Sequence, residues 1–304
     1  MKAGDTGLNA VQLSIIVAST LSQSFLKNCL DSILSNKLDG AEIIVADCCL
    51  EESFEHFSKN YPSMHFLQFE RKVTLPVLLA AGLERATGDI IAMTDTSCRV
   101  ADNWIHSIMK AHQSQAMIIG GAVEVSESRN GVDWAAYFCD YSEFMPPMTR
   151  GAANVVPGNN ISFKRTALTK GKEFTENSFW KTLWVRKLQD SGVELIAEPS
   201  ILVYFTKSYD LLPFLIRRFH HGRCFAGLRV IKLNPSKRAF YFVGSFVLPF
   251  IFLARTVSHI LAKNRRLKEL LFSSPIIILA IVSWSFGETC GYFAGAGKSC
   301  QRIY

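Results

Sequence analysis

The sequence predicts an α/β fold: a mainly parallel sheet flanked by helices, followed by C-terminal hydrophobic helices of membrane character. Three observations predict it. Between residues 13 and about 125, short apolar runs alternate with stretches of helical periodicity. Two of those runs end on an aspartate, Asp47 and Asp95. Beyond residue 238 two long apolar segments dominate, 239–261 and 270–294.

The first apolar run, 13–18, is far too short to cross a bilayer and reads as a buried strand. Phe25, Leu26, Cys29, Leu30, Ile33 and Leu34 then recur at helical spacing, with Ser22 or Ser24 as the cap. A second strand, 43–46, ends at Asp47, and 64–69 is a third. Residues 75–86 fit a helix closed by Gly88; 90–94 is a fourth strand, ending at Asp95; 102–112 is a further helix. Strands alternating with helices of this length imply right-handed crossovers and parallel pairing. Ligands of such sheets bind beyond the carboxyl ends of strands, where Asp47 and Asp95 both fall. A single aspartate after a strand often caps a helix or opens a turn. Two of them suit a nucleotide, whose base and ribose need a partner and whose diphosphate needs a cation that prefers carboxylate oxygen. There is no Gly-x-Gly-x-x-Gly and no Walker loop, which removes the dinucleotide and P-loop readings.

At 304 residues the chain is expected to form one sizeable domain, 1–207, with a basic juxtamembrane stretch, 208–238, and an apolar hairpin, 239–304. Charge is divided unevenly. Residues 1–205 hold 18 Lys/Arg and 23 Asp/Glu, a net −5, whereas 206–304 hold 15 and 3, a net +12. Basic charge beside apolar runs points to anionic lipid head groups. No nucleic-acid-binding motif accompanies it, so no nucleic acid is expected as a partner. The eight cysteines lack metal-ligand spacing and are expected to be reduced, as in a cytosolic compartment.

Taken in order, the motifs resemble the family-2 glycosyltransferases, which implies a Rossmann-like GT-A fold. The opening 14–20, with Ser19, and the strand 42–47 are similar to that family's first two units, whose second aspartate, here Asp47, contacts the nucleotide. Ala86-Thr87-Gly88-Asp89-Ile90-Ile91-Ala92 resembles the run before the family's metal-binding Asp-x-Asp, whose place is taken by Asp95-Thr96-Ser97. Pro157-Gly158-Asn159-Asn160 and Phe163-Lys164-Arg165 resemble the loop and strand that shape the sugar and acceptor pocket. The stretch 179–192 resembles the helix that carries the catalytic base. The resemblance thus implies a nucleotide-sugar donor held by Ser19, Asp47, Asp95, Asn159 and Asn160, with Mg2+ or Mn2+ on Asp95.

Two positions depart from that pattern. Ser97 replaces the second carboxylate of the metal motif, and Lys181 stands where the resemblance puts the base. An ammonium is no base near pH 7 unless burial lowers its pKa by several units. Lys181 is therefore either an exposed helical lysine, with the base supplied elsewhere, or the mark of a chain that has lost catalysis. Glu176, Asp140, Glu143 and Glu173 are the carboxylates available to replace the base, Glu176 foremost, with Lys181 then a cation near the pocket. Arg218-Phe219-His220-His221-Gly222-Arg223 resembles a stretch of membrane-bound family members, and Arg218 and Arg223 suit a donor diphosphate or a lipid phosphate.

The basic flanks Lys237-Arg238 and Lys263 to Lys268 leave two arrangements open for the apolar segments: crossing the bilayer, or dipping into its cytoplasmic leaflet. Glu288, costly in lipid, is expected to face a helix partner or Arg255. The expected activity is sugar transfer from a nucleotide-sugar to a glycan or lipid-linked acceptor, by a membrane protein whose catalytic domain is cytoplasmic. The alternative is a catalytically impaired membrane scaffold.

Overall fold

A computed structural model describes residues 11–48, 53–125, 130–170, 179–231 and 233–303. The chain folds as two compact units. The first comprises residues 1–124 and 146–205; the second comprises 125–145 and 206–304. The stretch 125–145, assigned from sequence to the first domain, thus belongs to the second unit.

The first unit is built on a nine-stranded sheet. Its strands are β1 (Leu13–Ser19), β2 (Ala41–Asp47), β3 (His65–Gln68), β4 (Ile90–Asp95), β5 (Cys98–Val100), β6 (Ile118–Val125), β7 (Gly151–Ala153), β8 (Ile161–Lys164) and β9 (Leu195–Phe205). The order is β3-β2-β1-β4-β8-β6-β9-β5, with β7 beside β9. β1 is buried along its whole length, which is why it reads as a continuous apolar run, and it pairs in parallel with β2 and β4. The helices α1 (Gln23–Leu34), α3 (Leu75–Arg85) and α4 (Trp104–Ala111) fall where the sequence places them; between β2 and β3 runs α2 (Ser53–Asn60). From β4 onward the pairing changes: β8 is antiparallel to β4 and β6, and β5 and β7 are antiparallel to β9. The parallel half is the part that periodicity reveals.

The amino ends of β1 and β4 are clasped by Glu42. Its Oε1 accepts from Ser14 Oγ (2.5 Å), the Thr87 amide (2.6 Å) and hydroxyl (2.8 Å), and the Gly88 amide (3.3 Å). Partial burial pushes the Glu42 pKa upward, but the bonds from Ser14, Thr87 and Gly88 together outweigh it and leave the pKa lowered. Gly88 is required because a Cβ there would lie 2.7 Å from the Ser14 amide nitrogen and 2.8 Å from the Leu13 carbonyl carbon. The Ala-Thr-Gly-Asp run is thus a sheet clasp.

The second unit is helical: α5 (Gly131–Tyr141), α8 (Leu211–Val230), α9 (Pro235–Gly244), α10 (Leu248–Lys263) and α11 (Leu267–Ala294), the first unit having supplied α6 (Thr166–Lys170) and α7 (Lys181–Asp190). α8 and α11 approach backbone to backbone. A Cβ at Gly222 would strike the Trp284 carbonyl, one at Gly287 the Phe219 carbonyl, and one at Gly291 would lie 2.6 Å from the Arg223 carbonyl. Gly287 and Gly291 form a small-xxx-small stripe of the kind that packs helices in lipid. Glu288 is buried there, accepting from Trp284 Nε1 (3.0 Å) and Arg229 Nη1 (3.4 Å). Its partners lie on its own helix and on α8; Arg255 lies over the Phe252 ring instead.

α11 is long and apolar enough to cross a membrane, while α9 and α10 reach that criterion only as a pair bent by 59°. The segment 239–261 is thus broken by the bend. A disulfide joins Cys224 to Cys300, which corrects the expectation of eight reduced thiols; Cys29, Cys48, Cys98, Cys139 and Cys290 remain thiols.

Two outcomes follow for the clasp. Gly88→Ala forces the backbone of β1 or β4 to shift, and is expected to lower thermal stability by roughly 1–3 kcal/mol. Because Glu42 has a lowered folded pKa, its contribution is full above its ordinary value of 4.5 and is lost as pH falls through the folded value. The wild-type melting temperature should therefore fall more steeply below pH 4.5 than that of Glu42→Gln; parallel curves would contradict the clasp.

Candidate functional site

The register of the sheet fixes the site. Ser19 lies opposite Asp47 across the β1–β2 ladder, and Ala18 lies opposite Asp95 across the β1–β4 ladder. Both aspartates therefore stand at the same carboxyl edge, one strand to either side of β1, roughly 10 Å apart at the usual strand spacing. The strand order reverses direction here, with β2 and β3 to one side and β4 to the other, so the edge is a topological switch point. Ser19 is fully buried, and its hydroxyl lacks a partner among the described residues.

Asp95 opens a tight turn into β5. Its Oδ1 accepts from the Ser97 amide (2.9 Å) and from the Ser97 hydroxyl. Cys98 follows, buried, with the Asn159 side-chain amide 3.1 Å from its sulfur. The thiols of Cys98 and Cys29 are pushed up by burial first and then by the Asp95 charge, so neither is a nucleophile near neutral pH.

The loop 157–160 brings its two asparagines to different tasks. Asn160 is 1% exposed. Its Oδ1 accepts from Trp104 Nε1 (2.9 Å), and its Nδ2 donates to the carbonyls of Ala122 (2.8 Å) and Ile201 (2.9 Å). Its side chain thus ties α4, β6 and β9 together. Asn159 is also buried, but its Oδ1 has no partner among the described residues.

Lys181 is the first residue of α7 and is not an ordinary exposed helical lysine. One turn further on, Trp184 packs between Phe163 (4.8 Å) and Phe179 (5.2 Å), fixing α7 against β8. The Phe179 amide donates to the Pro76 carbonyl (2.7 Å) and fixes the entry to the helix. Lys181 Nζ donates to the Gly158 carbonyl. Burial pushes its pKa down to about 8, against the pull of Asp95, so the amine remains mainly protonated at pH 7.

These residues do not fit a protein-held Mg2+ or Mn2+. Such ions take several hard oxygen ligands. The turn 95–98 offers the single carboxylate of Asp95, one oxygen of which already accepts two bonds from Ser97, and the Lys181 ammonium acts on that carboxylate. Among the described residues no three His, Cys, Asp or Glu side chains cluster, so an ion here would lack an all-protein cage.

The remaining sequence-derived residues lie elsewhere. Glu173 and Glu176 fall outside the described residues. Asp140 and Glu143 belong to the second unit. There Asp140 pairs with Arg218 Nη1 and, at 3.7 Å, with Arg217 Nη2. Arg218 is buried and also lies 4.4 Å above the Trp284 ring. Arg223 Nε donates to the Gly295 carbonyl (3.1 Å) at the end of α11. Asp140, Arg218 and Arg223 are thus engaged in holding the helical unit together. Glu143 offers its carbonyl to Lys263 Nζ (2.9 Å).

A sheet with two carboxylates at its switch point, faced by a loop and a helix N-terminus, defines an α/β protein built to bind a ligand at the carboxyl edge. The sequence profile described as Glycosyl transferase family 2 matches residues 14–171, and the chain belongs to that family. Among solved structures it is similar to the mannosyltransferase PcManGT from Pyrobaculum calidifontis in complex with GDP-Man and Mn2+ (TM-score 0.58, 13% identity, 92% of this chain and 87% of that one). It is also similar to S. aureus TarS 1–349 (0.51, 11%, 96% and 89%) and to the same protein with UDP-GlcNAc (0.53, 12%, 90% and 80%). Identities this low establish the shared GT-A fold alone. No curated protein matches the chain.

The two asparagines predict different phenotypes. Asn160→Ala leaves the Trp104 indole and two carbonyls unpaired, each costing about 1–3 kcal/mol when buried. A large drop in melting temperature is expected for Asn160→Ala and a much smaller one for Asn159→Ala. Equal drops would contradict the division of labour.

Proposed function

We propose that the chain is an inverting hexosyltransferase that moves a sugar from a nucleotide-sugar donor to a glycan or lipid-linked acceptor at the cytoplasmic face of a membrane. The observation that carries the reading is the placement of Asp47 and Asp95 on either side of β1 at the switch point, in a chain of this family. Asp47 and Ser19 hold the base and ribose, Asp95 lies at the diphosphate and sugar end, and Asn159 presents its buried carbonyl oxygen to the sugar. In transfer, the acceptor oxygen bonds the anomeric carbon as that carbon's bond to the diphosphate oxygen breaks. The acceptor proton passes to a carboxylate. We assign that carboxylate to Glu176, five residues before Lys181 in sequence, because Asp140 is engaged with two guanidinium groups.

A catalytically impaired scaffold is the second reading, favoured by one observation: a lysine occupies the position of the base. A panel of UDP-, GDP- and dTDP-sugars, scored for donor hydrolysis and for nucleotide binding, separates the two. The enzyme reading expects turnover of at least one donor. It further expects Glu176→Gln to lose about 10²–10⁴-fold in turnover with donor binding unchanged. Nucleotide binding without turnover of any donor would leave the scaffold.

Membrane attachment is supported by the apolar exterior of the second unit. Phe240, Phe250, Leu271 and Phe293 are each more than 70% exposed, and α11 is long enough to span. An apolar surface of this extent is not left in water by soluble monomers. The full-length protein is expected to sediment with membranes and to be released by detergent but not by high salt. Recovery in the soluble fraction without detergent would contradict attachment.

A further inference from the structure

We propose that the Lys181 ammonium binds the donor diphosphate in place of a divalent cation, so that the site takes nucleotide-sugars without metal. The proposal rests on the nucleotide-sugar reading above and deepens it.

Four observations converge on this assignment. The second carboxylate of the metal motif is absent, and Ser97 in its place directs both its amide and its hydroxyl onto Asp95. Asp95 is thereby stabilised by protein donors rather than left bare for an ion. A cation is supplied by the chain itself: Lys181, at the first position of α7, donates to the Gly158 carbonyl beside Asn159, whose side-chain amide lies 3.1 Å from the Cys98 sulfur.

That cation is held in place. Trp184 wedges α7 against Phe163 and Phe179, and the Phe179 amide is tied to Pro76. An ammonium has three donors, and among the described residues the hydrogen-bond acceptor of Lys181 is the neutral Gly158 carbonyl. An ammonium whose protein acceptor is neutral gains most from an anion with several oxygens. The N-terminal amides of α7 add partial positive charge on the same side.

Beside Gly158, the Asn159 Oδ1 is buried with no partner among the described residues, an acceptor placed for a hydroxyl of a bound sugar. Finally, a divalent ion on Asp95 would be repelled by the ammonium, a like charge. When the glycosidic bond breaks, its electron pair stays on the diphosphate oxygen. The ammonium stabilises that charge through hydrogen bonds without giving up a proton.

The test is calorimetric titration of the full-length, detergent-solubilised protein with UDP and GDP, in EDTA and in MnCl2. Wild type is expected to bind one of them equally in both conditions. Lys181→Met, with a wild-type melting curve as control for folding, is expected to lose about tenfold or more in affinity, and Lys181→Arg to retain it. Should Lys181→Met melt early, the double variant Ser97→Asp/Lys181→Glu serves instead, and should bind only when Mn2+ is present. Wild-type binding that requires Mn2+ and survives Lys181→Met would overturn this proposal while leaving the nucleotide reading in place. Absence of binding to either nucleotide in both conditions would overturn that reading and this proposal together.

Discussion

β1 is hydrogen-bonded in parallel along both edges, and every position in the site is measured from it. Parallel strands are in register only if the crossover helices return the chain to the same end of the sheet. Here the ladders align Ser19 with Asp47 and Ala18 with Asp95, so a one-residue slip would turn a carboxylate from the edge into the sheet face. The Glu42 clasp at the opposite end guards that register. It fastens β2 to the turn that begins β4, through Ser14 of β1. The two ends of the same three strands therefore divide the labour between stability and ligand binding.

The second determinant is the anchoring of α7. A lysine at the start of a surface helix normally samples many rotamers and contributes little to a fixed site. Burial of Trp184 among Phe163 and Phe179 removes that freedom from the helix, and the bond to Gly158 removes it from the side chain. The same lysine that makes a poor base is well suited to hold phosphate oxygens. Replacing two motif carboxylates with a hydroxyl and an ammonium changes the charge of the pocket in one direction, toward the anion that a nucleotide-sugar brings.

Much of this was legible in the sequence, and the part that was not has a physical cause. The parallel half showed itself because each strand is a continuous apolar run and each helix has a period of its own. Asp47 and Asp95 were visible as the polar residues that end such runs. The antiparallel half was hidden because β5 and β7 have three residues each and β8 has four. Pairing of β5 with β9 also joins residues roughly a hundred positions apart, which no local pattern records. Resemblance singled out Lys181, but its place beside Gly158 depends on packing by three aromatic rings. Asn160 looked like a ligand because it is an amide in a glycine-containing loop; only burial reveals it as a tie between elements. Asp140 and Arg218, 78 residues apart, likewise looked available until paired.

What decides the account is where positive charge sits when a donor is bound. A crystal structure of the protein with its nucleoside diphosphate, grown with MnCl2 and measured at the manganese absorption edge, locates that charge directly. The account predicts diphosphate oxygens within hydrogen-bonding distance of Lys181 Nζ and no anomalous peak beside Asp95. A manganese peak bridging Asp95 and the diphosphate, with Lys181 turned away from both, would contradict it.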